Sequence, residues 1–180
     1  MKTGIIIVDH GSRRTQSNLM LEEVARLFGE RFVQKYEIVE PAHMELAEPS
    51  IATAYGRCVE RGATNVIVCP FFLGPGKHWT SDIPKLTADA ACEHPATRYH
   101  VAMPLGIDDL ILDLLDKRAG WCERNQLSCE SCRGTIRSGE PGVEFPVEED
   151  KKSNGQCSSC PFVVQPDGTI VDKRLMGVKI

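Results

Sequence analysis

The feature that most constrains the fold is an apolar run over residues 3–8, which contains three isoleucines and ends in valine. A strand without a polar face is typical of a parallel sheet that helices cover on both sides. The run stops abruptly at Asp9 and His10, where a polar segment begins. The sequence therefore predicts a buried strand whose carboxyl end carries polar side chains.

Helical and apolar stretches then alternate up to about residue 125. The predicted helices are 17–36, 49–62, 82–93 and a last one that begins at Asp108, and the further predicted strands are 37–44, 65–72 and 97–103. Pro49 suits a first helical turn, Gly62 a left-handed helix end, and Asp82 and Asp108 the N-cap position. Because parallel neighbours need crossover connections, this βαβαβαβα order predicts an α/β fold with three αβα layers around a mostly parallel four-stranded sheet.

A second region begins near residue 126 and differs in composition. Residues 134–155 are rich in Gly, Pro, Ser and charge and have no helical period, which indicates an irregular segment. The later stretch around Pro166, Asp167 and Gly168 lies between apolar residues and predicts a small hairpin. We therefore expect two regions, an α/β domain over 1–125 and a cysteine-rich tail over 126–180.

Charge and hydropathy exclude some classes of protein. The net charge of −4 and the pI near 5.8 argue against a general nucleic-acid binder, which needs a basic face to neutralise phosphates. No apolar run approaches the roughly 18 residues of a membrane span. The first strand begins too early to leave room for a secretion signal, so we expect a cytoplasmic protein with neither a nucleic-acid nor a membrane partner.

Polar side chains follow each of the first three strands. They are Asp9, His10, Gly11, Ser12, Arg13 and Arg14 after the first strand, His43, Met44, Glu45 and Glu48 after the second, and Lys77, His78 and Trp79 after the third. In an open parallel sheet, ligands bind beyond the carboxyl ends of the strands, so these residues are candidates for one shared site. A single histidine at a strand end is commonly a packing or capping residue, whereas two histidines and a glutamate at one edge suit a divalent metal.

The segment FFLGPGKHW, residues 71–79, adds features that suit a broad ligand. Its apolar side chains offer a flat wall, and its Gly-Pro-Gly segment removes side chains where something wide must approach. The alternative is that the apolar residues complete the core and the Gly-Pro-Gly segment is a tight turn. Arg13, Arg14 and Lys77 at the same edge suit a ligand with several carboxylates, or they form an ordinary solvated surface.

Three segments, GIIIVDHGSR, MELAEPSI and VIVCPFFLGPGKHWTSDIP, occur in this order and with this spacing. Together they resemble the sirohydrochlorin chelatases, the small single-lobe members of the class II chelatase superfamily. The resemblance covers about residues 3–120. The metal-binding and catalytic positions of that family correspond to His10, Glu45 and His78, which are all present.

The resemblance implies an enzyme that inserts Fe2+ or Co2+ into sirohydrochlorin, a reduced tetrapyrrole with eight carboxylates on the route to sirohaem or cobalamin. It also implies a homodimer, because the longer relatives contain two such lobes in one chain. His10 and His78 would present the metal, with His10 the leading proton acceptor, and Glu45 would supply negative charge. The expected contacts to the substrate are Ser12, Arg13, Arg14, Phe72, Leu73, Gly74, Lys77 and Trp79.

Four cysteines of the tail form two C-x2-C pairs, Cys129 with Cys132 and Cys157 with Cys160, which 24 residues separate. Three uses remain open: an iron–sulfur cluster, structural zinc, or free or redox-exchanging thiols. The gap is longer than the usual zinc spacing of about 15–20 residues. The placement is similar to the cysteine-bearing C-terminal extension of plant ferrochelatases, which holds an iron–sulfur cluster, so we expect a cluster here. Cys122 would be a spare ligand or a buried residue.

Two other functions fit part of the pattern. The segment from His10 to Arg13 is similar to the core of the histidine phosphatases, but Asp9 stands where that class requires arginine, and a carboxylate there would repel phosphate. A non-catalytic carrier of metal or tetrapyrrole would use the same three ligands without turnover. Iron and cobalt are not distinguished by the sequence, because histidine and glutamate serve both metals.

Overall fold

The computed structural model describes residues 1–127 in full and, farther along, only the backbone of residues 162–164 and 170–172. Its contacts divide the chain into two compact units, Met1–Ile107 and Asp108–Ile180. The first unit contains the four-stranded sheet and the three polar loops.

The first unit is a parallel sheet flanked by helices. Its elements are β1 (Thr3–Asp9), α1 (Thr15–Arg31), β2 (Ile38–His43), α2 (Ile51–Glu60), β3 (Asn65–Pro70), a π-helical turn (His78–Asp82), α3 (Ile83–Cys92) and β4 (Arg98–Val101). The strands lie in the order β2-β1-β3-β4, and all neighbours are parallel. The predicted α/β fold with a four-stranded sheet is confirmed.

β1 lies in the interior of this sheet and is buried on both faces. Ile6 and Val8 are fully buried in the core that the sheet forms with α2 and α3, whereas Ile5 and Ile7 pack with Leu21 of α1 on the other face. Burial of an aliphatic side chain of this size stabilises the fold by roughly 1.5–3 kcal/mol. The continuous apolar run at the start of the sequence therefore belongs to a strand with no side facing solvent.

The end of α1 differs from the prediction. The helix ends at Arg31 rather than near residue 36, because the chain turns at Phe32, whose carbonyl accepts from the N–H groups of Lys35 and Tyr36. In the sequence, apolar residues keep the helical spacing past this point, as far as Tyr36. In the structure, the ring of Tyr36 packs back on Phe28, with 5.9 Å between centroids.

The start of α2 also differs in detail. Pro49 precedes the helix instead of lying in its first turn, and Ser50 is the N-cap, with its hydroxyl accepting from the N–H of Thr53. Gly62 adopts the left-handed conformation predicted after this helix, with a φ of 89°.

β2 is an edge strand, and two features limit further pairing along it. Pro41 lies within the strand and has no N–H to donate. The guanidinium of Arg61 donates to the carbonyl of Glu37 at 2.8 Å and to that of Val39 at 3.4 Å. The outer edge of this strand is therefore poorly suited to pairing with another strand.

The second unit contains a helix and a short strand pair among its described residues. α4 (Asp109–Arg124) begins as predicted after Asp108, whose carboxylate accepts from the N–H of Leu110 at 2.9 Å. β5 (Phe162–Val164) and β6 (Ile170–Asp172) pair antiparallel, as the predicted hairpin requires. The residues of the hairpin turn and the two cysteine pairs lie outside the described residues, and the domain boundary near residue 125 remains a prediction.

None of the helices in the described part of the chain combines the length and the apolar character that a membrane span requires.

Candidate active site

The strand order decides which polar loops are neighbours. β1 lies between β2 and β3, so the loop that follows β1 lies beside the loops that follow both other strands. The carboxyl ends of parallel strands share one edge of the sheet, which is where ligands bind in such folds. His10 is thereby a neighbour of Glu45, which follows β2, and of His78, which follows β3.

His10 and Glu45 are in direct contact, with 2.8 Å between Nε2 and Oε1. The backbone brings them together. The N–H of Met44 donates to the carbonyl of Asp9 at 2.8 Å, and the next N–H, that of Glu45, donates to the carbonyl of His10 at 3.1 Å. Hydrogen bonds between the two chain segments thus continue past the ends of β1 and β2.

Gly11 makes this close approach possible. Its φ of +81° lies in the left-handed region, which strains residues that carry a side chain. A Cβ at this position would lie 2.0 Å from the carbonyl oxygen of Glu45. Both the backbone conformation and the available space therefore require glycine here.

His78 is presented by the π-helical turn. Its ring lies edge-on to that of His10, with 5.2 Å between centroids and 73° between planes, and 6.2 Å from the ring of Phe72. Nδ1 of His78 lies 3.0 Å from Oδ2 of Asp82. π-Helical turns are frequent at functional sites, and this one holds His78 beside His10.

The three side chains predicted to bind metal therefore meet at an open surface. The side chains of His10, Glu45 and His78 are 41%, 54% and 43% exposed. All three are therefore accessible from solvent. The structure brings these residues together, while their roles remain predictions.

A polar contact joins His10 to Glu45 and a ring contact joins His10 to His78, but the three groups do not form a ready metal cage. Within the described residues, no group of three His, Cys, Asp or Glu side chains is arranged to hold an ion. Nδ1 of His10 lies 3.1 Å from the carbonyl of Gly11, which can only accept, so we assign a hydrogen to this nitrogen. Nε2 of His10 faces the carboxylate of Glu45, and both are groups that would bind a cation at this point.

Below this surface, Asp9 and His43 form a pair that the sequence did not distinguish from the other polar residues. They are register partners in β1 and β2, and Nδ1 of His43 lies 2.6 Å from Oδ1 of Asp9. The same oxygen accepts from the N–H of Gly11 at 2.9 Å. His43 is fully buried, and its Nε2 has no hydrogen-bond partner among the described residues. The pair ties the start of the His10 loop to the end of β2.

Asn18 holds the first loop in shape and was missed because it lies on the polar face of a predicted helix. Its side-chain oxygen accepts from the N–H of Ser12 at 2.9 Å, and its amide donates to the carbonyl of Ser12 at 2.9 Å. The hydroxyl of Ser12 accepts from the N–H of Arg14. Arg13 and Arg14 are exposed next to this loop, as is Lys77 in the third loop.

The apolar residues of the third loop divide into two groups. Phe72 is half-buried against the core, and Trp79 is half-buried with its indole N–H donating to the carbonyl of Ala102 at 3.0 Å. Phe71 and Leu73 are exposed. The loop therefore both completes the core and leaves apolar surface at the site.

The Gly-Pro-Gly segment of this loop does not need glycine for its turn. Neither Gly74 nor Gly76 has a left-handed φ, and a Cβ added at either position meets nothing within 4 Å. Open space beside the backbone favours the prediction that this segment leaves room for a wide ligand.

Glu48 belongs to the start of α2 instead of the site. Its carboxylate accepts from the N–H of Ser50 at 2.7 Å and from the hydroxyl of Thr53 at 3.0 Å, and these hydrogen bonds lower the pKa of Glu48. Two cysteines near the sheet are disfavoured as thiolates, because burial raises the pKa of Cys58 to about 12 and also raises the pKa of Cys69.

The fold and the site together, a parallel sheet with two histidines and a glutamate at its carboxyl edge, can be compared with those of known protein families. The CbiX family matches residues 4–120 of this chain, which is more than half of its length. The chain belongs to the CbiX family.

Its relatives have more specific names. The sirohydrochlorin ferrochelatase of Arabidopsis thaliana, named as chloroplastic, is 54% identical over 136 residues, which cover 73% of this chain and 60% of the relative. A sirohydrochlorin cobaltochelatase from Methanococcus maripaludis is 42% identical over 82 residues, 46% of this chain and 56% of the relative. The solved structure of SirB from Bacillus subtilis with Fe3+ is 33% identical with a TM-score of 0.58, covering 66% of this chain and 46% of that one. This chain thus spans less than two thirds of the length of these relatives.

Replacement of Gly11 tests the contact between the first two loops. Gly11→Ala places a methyl group against the carbonyl of Glu45 in a strained backbone conformation, so we expect a loss of about 1–3 kcal/mol in the free energy of unfolding. Gly74→Ala, which adds the same methyl group in open space, is the matched control and should unfold like the wild type. Chemical denaturation measures both, and equal stability of the two variants would contradict the described approach of the loops.

Proposed function

We propose that the protein is a sirohydrochlorin chelatase, which inserts Fe2+ or Co2+ into sirohydrochlorin on the route to sirohaem or cobalamin. One observation carries the proposal: in a chain of the CbiX family, His10, Glu45 and His78 meet at an open surface beyond three parallel strands. Imidazole and carboxylate are donors that suit iron and cobalt. The metal is a substrate that passes through the site.

Metal insertion requires the ion to lose water while two pyrrole N–H protons leave the macrocycle. An arriving cation binds Nε2 of His10 and the carboxylate of Glu45, which lie 2.8 Å apart. Once the ion has moved into the macrocycle, the same pair is free to accept one of the pyrrole protons, and the second goes to solvent. We therefore assign proton acceptance to His10 with Glu45, and metal presentation to His10 and His78.

Sirohydrochlorin is wide, flat and rich in carboxylates, and the surface around the three side chains has matching features. Phe71 and Leu73 expose apolar surface, and the space beside Gly74 and Gly76 is open. The groups proposed to contact the macrocycle and its carboxylates are Ser12, Arg13, Arg14, Phe72, Leu73, Gly74, Lys77 and Trp79. Three of these are exposed cations, which suit carboxylate groups.

The choice between iron and cobalt is left to measurement. The relative from Arabidopsis thaliana is named a ferrochelatase and the relative from Methanococcus maripaludis a cobaltochelatase. The donor set serves both metals, and metal supply overrules small differences in affinity.

An anaerobic assay tests the function directly. Purified protein should convert sirohydrochlorin to a metallated product with Fe2+ or Co2+, which the change in the tetrapyrrole spectrum follows. His10→Ala and His78→Ala each remove a metal donor and should lower the rate by at least about 100-fold. Both side chains are partly exposed and lie outside the buried core, so the variants should fold. His100→Ala, which alters an exposed histidine of β4, is the matched control and should keep full activity.

Three outcomes would contradict this assignment. Stoichiometric binding of metal and tetrapyrrole without a metallated product would make the protein a carrier. Full activity of His10→Ala at limiting metal would remove His10 from the mechanism. Hydrolysis of a phosphate ester would favour the histidine phosphatases, which Asp9 disfavours because it stands where that class requires arginine and its carboxylate would repel phosphate.

We also propose an iron–sulfur cluster on the four paired cysteines of the tail, Cys129, Cys132, Cys157 and Cys160, which lie outside the described residues. The two C-x2-C motifs support it. Anaerobically purified protein should be brown, and Cys129→Ser should lose the visible absorbance. Cys92→Ser, which changes an exposed cysteine of α3, should stay brown. A colourless protein with stoichiometric zinc would support a zinc site instead.

A homodimer is the proposed assembly. The supporting observation is that the chain covers 46% of the SirB chain, so a second copy supplies a second lobe of similar size. Sedimentation equilibrium should give twice the 19.9 kDa of the chain, and a monomer at assay concentrations would contradict the proposal. The cytoplasmic location remains a prediction, because the name of the Arabidopsis relative assigns that protein to the chloroplast.

A further inference from the structure

The carboxylate of Asp82 faces a histidine of the site and not the helix that it precedes. Asp82 occupies the N-cap position of α3, where the sequence predicts a capping role, yet it makes no side-chain hydrogen bond to that helix. Instead, its Oδ2 lies 3.0 Å from Nδ1 of His78. The residue predicted to be a cap thus makes its side-chain contact inside the site.

The backbone explains why Asp82 does not cap. A capping residue needs an extended backbone, whereas Asp82 has helical dihedral angles, with φ of −72° and ψ of −50°. The π-helical turn, closed by the N–H of Ile83 donating to the carbonyl of His78, carries the chain into α3 without a break. Residues four apart on a helical backbone lie on one face, so the carboxylate reaches the imidazole.

This contact selects one tautomer of His78. An ionised carboxylate only accepts, so Nδ1 carries the hydrogen and Nε2 keeps its lone pair. Within the described residues, Nε2 of His78 makes no hydrogen bond. The lone pair that suits a metal is therefore available on the nitrogen opposite the carboxylate.

The two imidazoles of the site are supported differently. Nδ1 of His10 donates to the neutral carbonyl of Gly11, whereas Nδ1 of His78 donates to a carboxylate. Hydrogen bonds to ionised groups are roughly twice as strong as neutral ones, and a carboxylate behind an imidazole orients the ring and strengthens its donor nitrogen. Nε2 of His10 is already engaged by Glu45. Of the two imidazoles, His78 therefore has the stronger hydrogen bond at Nδ1, and the lone pair on its Nε2 is not in contact with Glu45.

We propose that Asp82 is a positioning residue, which holds His78 with Nε2 presented to the incoming metal, so that the ion binds His78 before it enters the contact between His10 and Glu45. The tautomer follows from the geometry alone. Its consequence for turnover rests on the proposed chelatase function.

The tautomer can be measured without metal or tetrapyrrole. In protein with 15N-labelled histidine at alkaline pH, where imidazoles are neutral, long-range 15N–1H spectra should show the hydrogen of His78 on Nδ1. Asp82→Ala should move it towards Nε2, whereas Asp82→Asn should retain it, because the amide oxygen still accepts. His78→Ala assigns the signals. Wild-type protein with the hydrogen on Nε2 of His78 would overturn the proposal.

The proposal also predicts that Asp82 strengthens metal binding. Titration of the protein with Co2+ alone measures this affinity through the visible absorption of the bound ion. Asp82→Ala should weaken Co2+ binding about 10–100-fold, and in turnover it should raise the KM for metal while the KM for sirohydrochlorin stays unchanged. Asp89→Ala is the matched control, because it removes another carboxylate of α3, one that pairs with Lys85 at 2.8 Å on the exposed surface. Equal Co2+ affinity of Asp82→Ala and wild type would refute the positioning role.

Failure of this proposal is distinguishable from failure of the chelatase function. Thermal unfolding of Asp82→Asn should resemble that of the wild type, since no cap bond is lost. If the wild type forms no metallated product, the chelatase function fails, while tautomer and Co2+ affinity still report on Asp82. If product forms and Asp82→Ala matches the wild type in tautomer and affinity, only the positioning role fails.

Discussion

Backbone hydrogen bonds between the chain segments that leave β1 and β2 are the constraint on which the site depends. They join Met44 to Asp9 and Glu45 to His10, so the two segments are held side by side before any ligand arrives. Gly11 is the condition for this approach, because any side chain there would occupy the position of the carbonyl of Glu45. In the proposed role, a cation would meet donors whose loops are already held in place, and its binding would not have to supply the free energy of ordering them.

A polar layer beneath the surface supports this arrangement. Asp9 links buried His43 to the N–H of Gly11, which fixes the backbone immediately after His10. A buried polar atom without a partner costs about 1–3 kcal/mol, and Nε2 of His43 is in this situation among the described residues. The bond between His43 and Asp9 offsets part of this cost, and low surrounding polarity strengthens such a bond. The strand ends are thus held by side chains as well as by backbone.

Much of the fold was predictable because buried parallel strands leave a strong signal. The apolar run at Ile5 to Val8 identified a strand covered on both faces, and the edge shared by parallel strands made neighbours of His10, Glu45 and His78. The ends of helices were less predictable where apolar residues keep the helical spacing beyond the last turn of the helix. Tyr36 continues the spacing of α1 after the chain has turned, because its ring packs back on Phe28.

The supporting residues of the site were not predictable, for a physical reason. A carboxylate has the same appearance in sequence whether it caps a helix, meets water or holds an imidazole, and only the backbone conformation decides between them. Asp82 was expected to cap, and the π-helical turn that redirects it leaves no periodic signal in the sequence. The sequence groups Asp9 and His43 with the other polar residues at the shared edge, because their register across two strands becomes visible only in the sheet.

The outer edge of β2 limits the ways in which two copies of the chain can associate. A dimer that joined two sheets into one continuous sheet through this strand would need free carbonyl and N–H groups along it. Pro41 lacks the N–H, and Arg61 already binds the carbonyls of Glu37 and Val39. Two protomers that met at this edge would therefore be expected to associate through side chains instead of extending one sheet into the other.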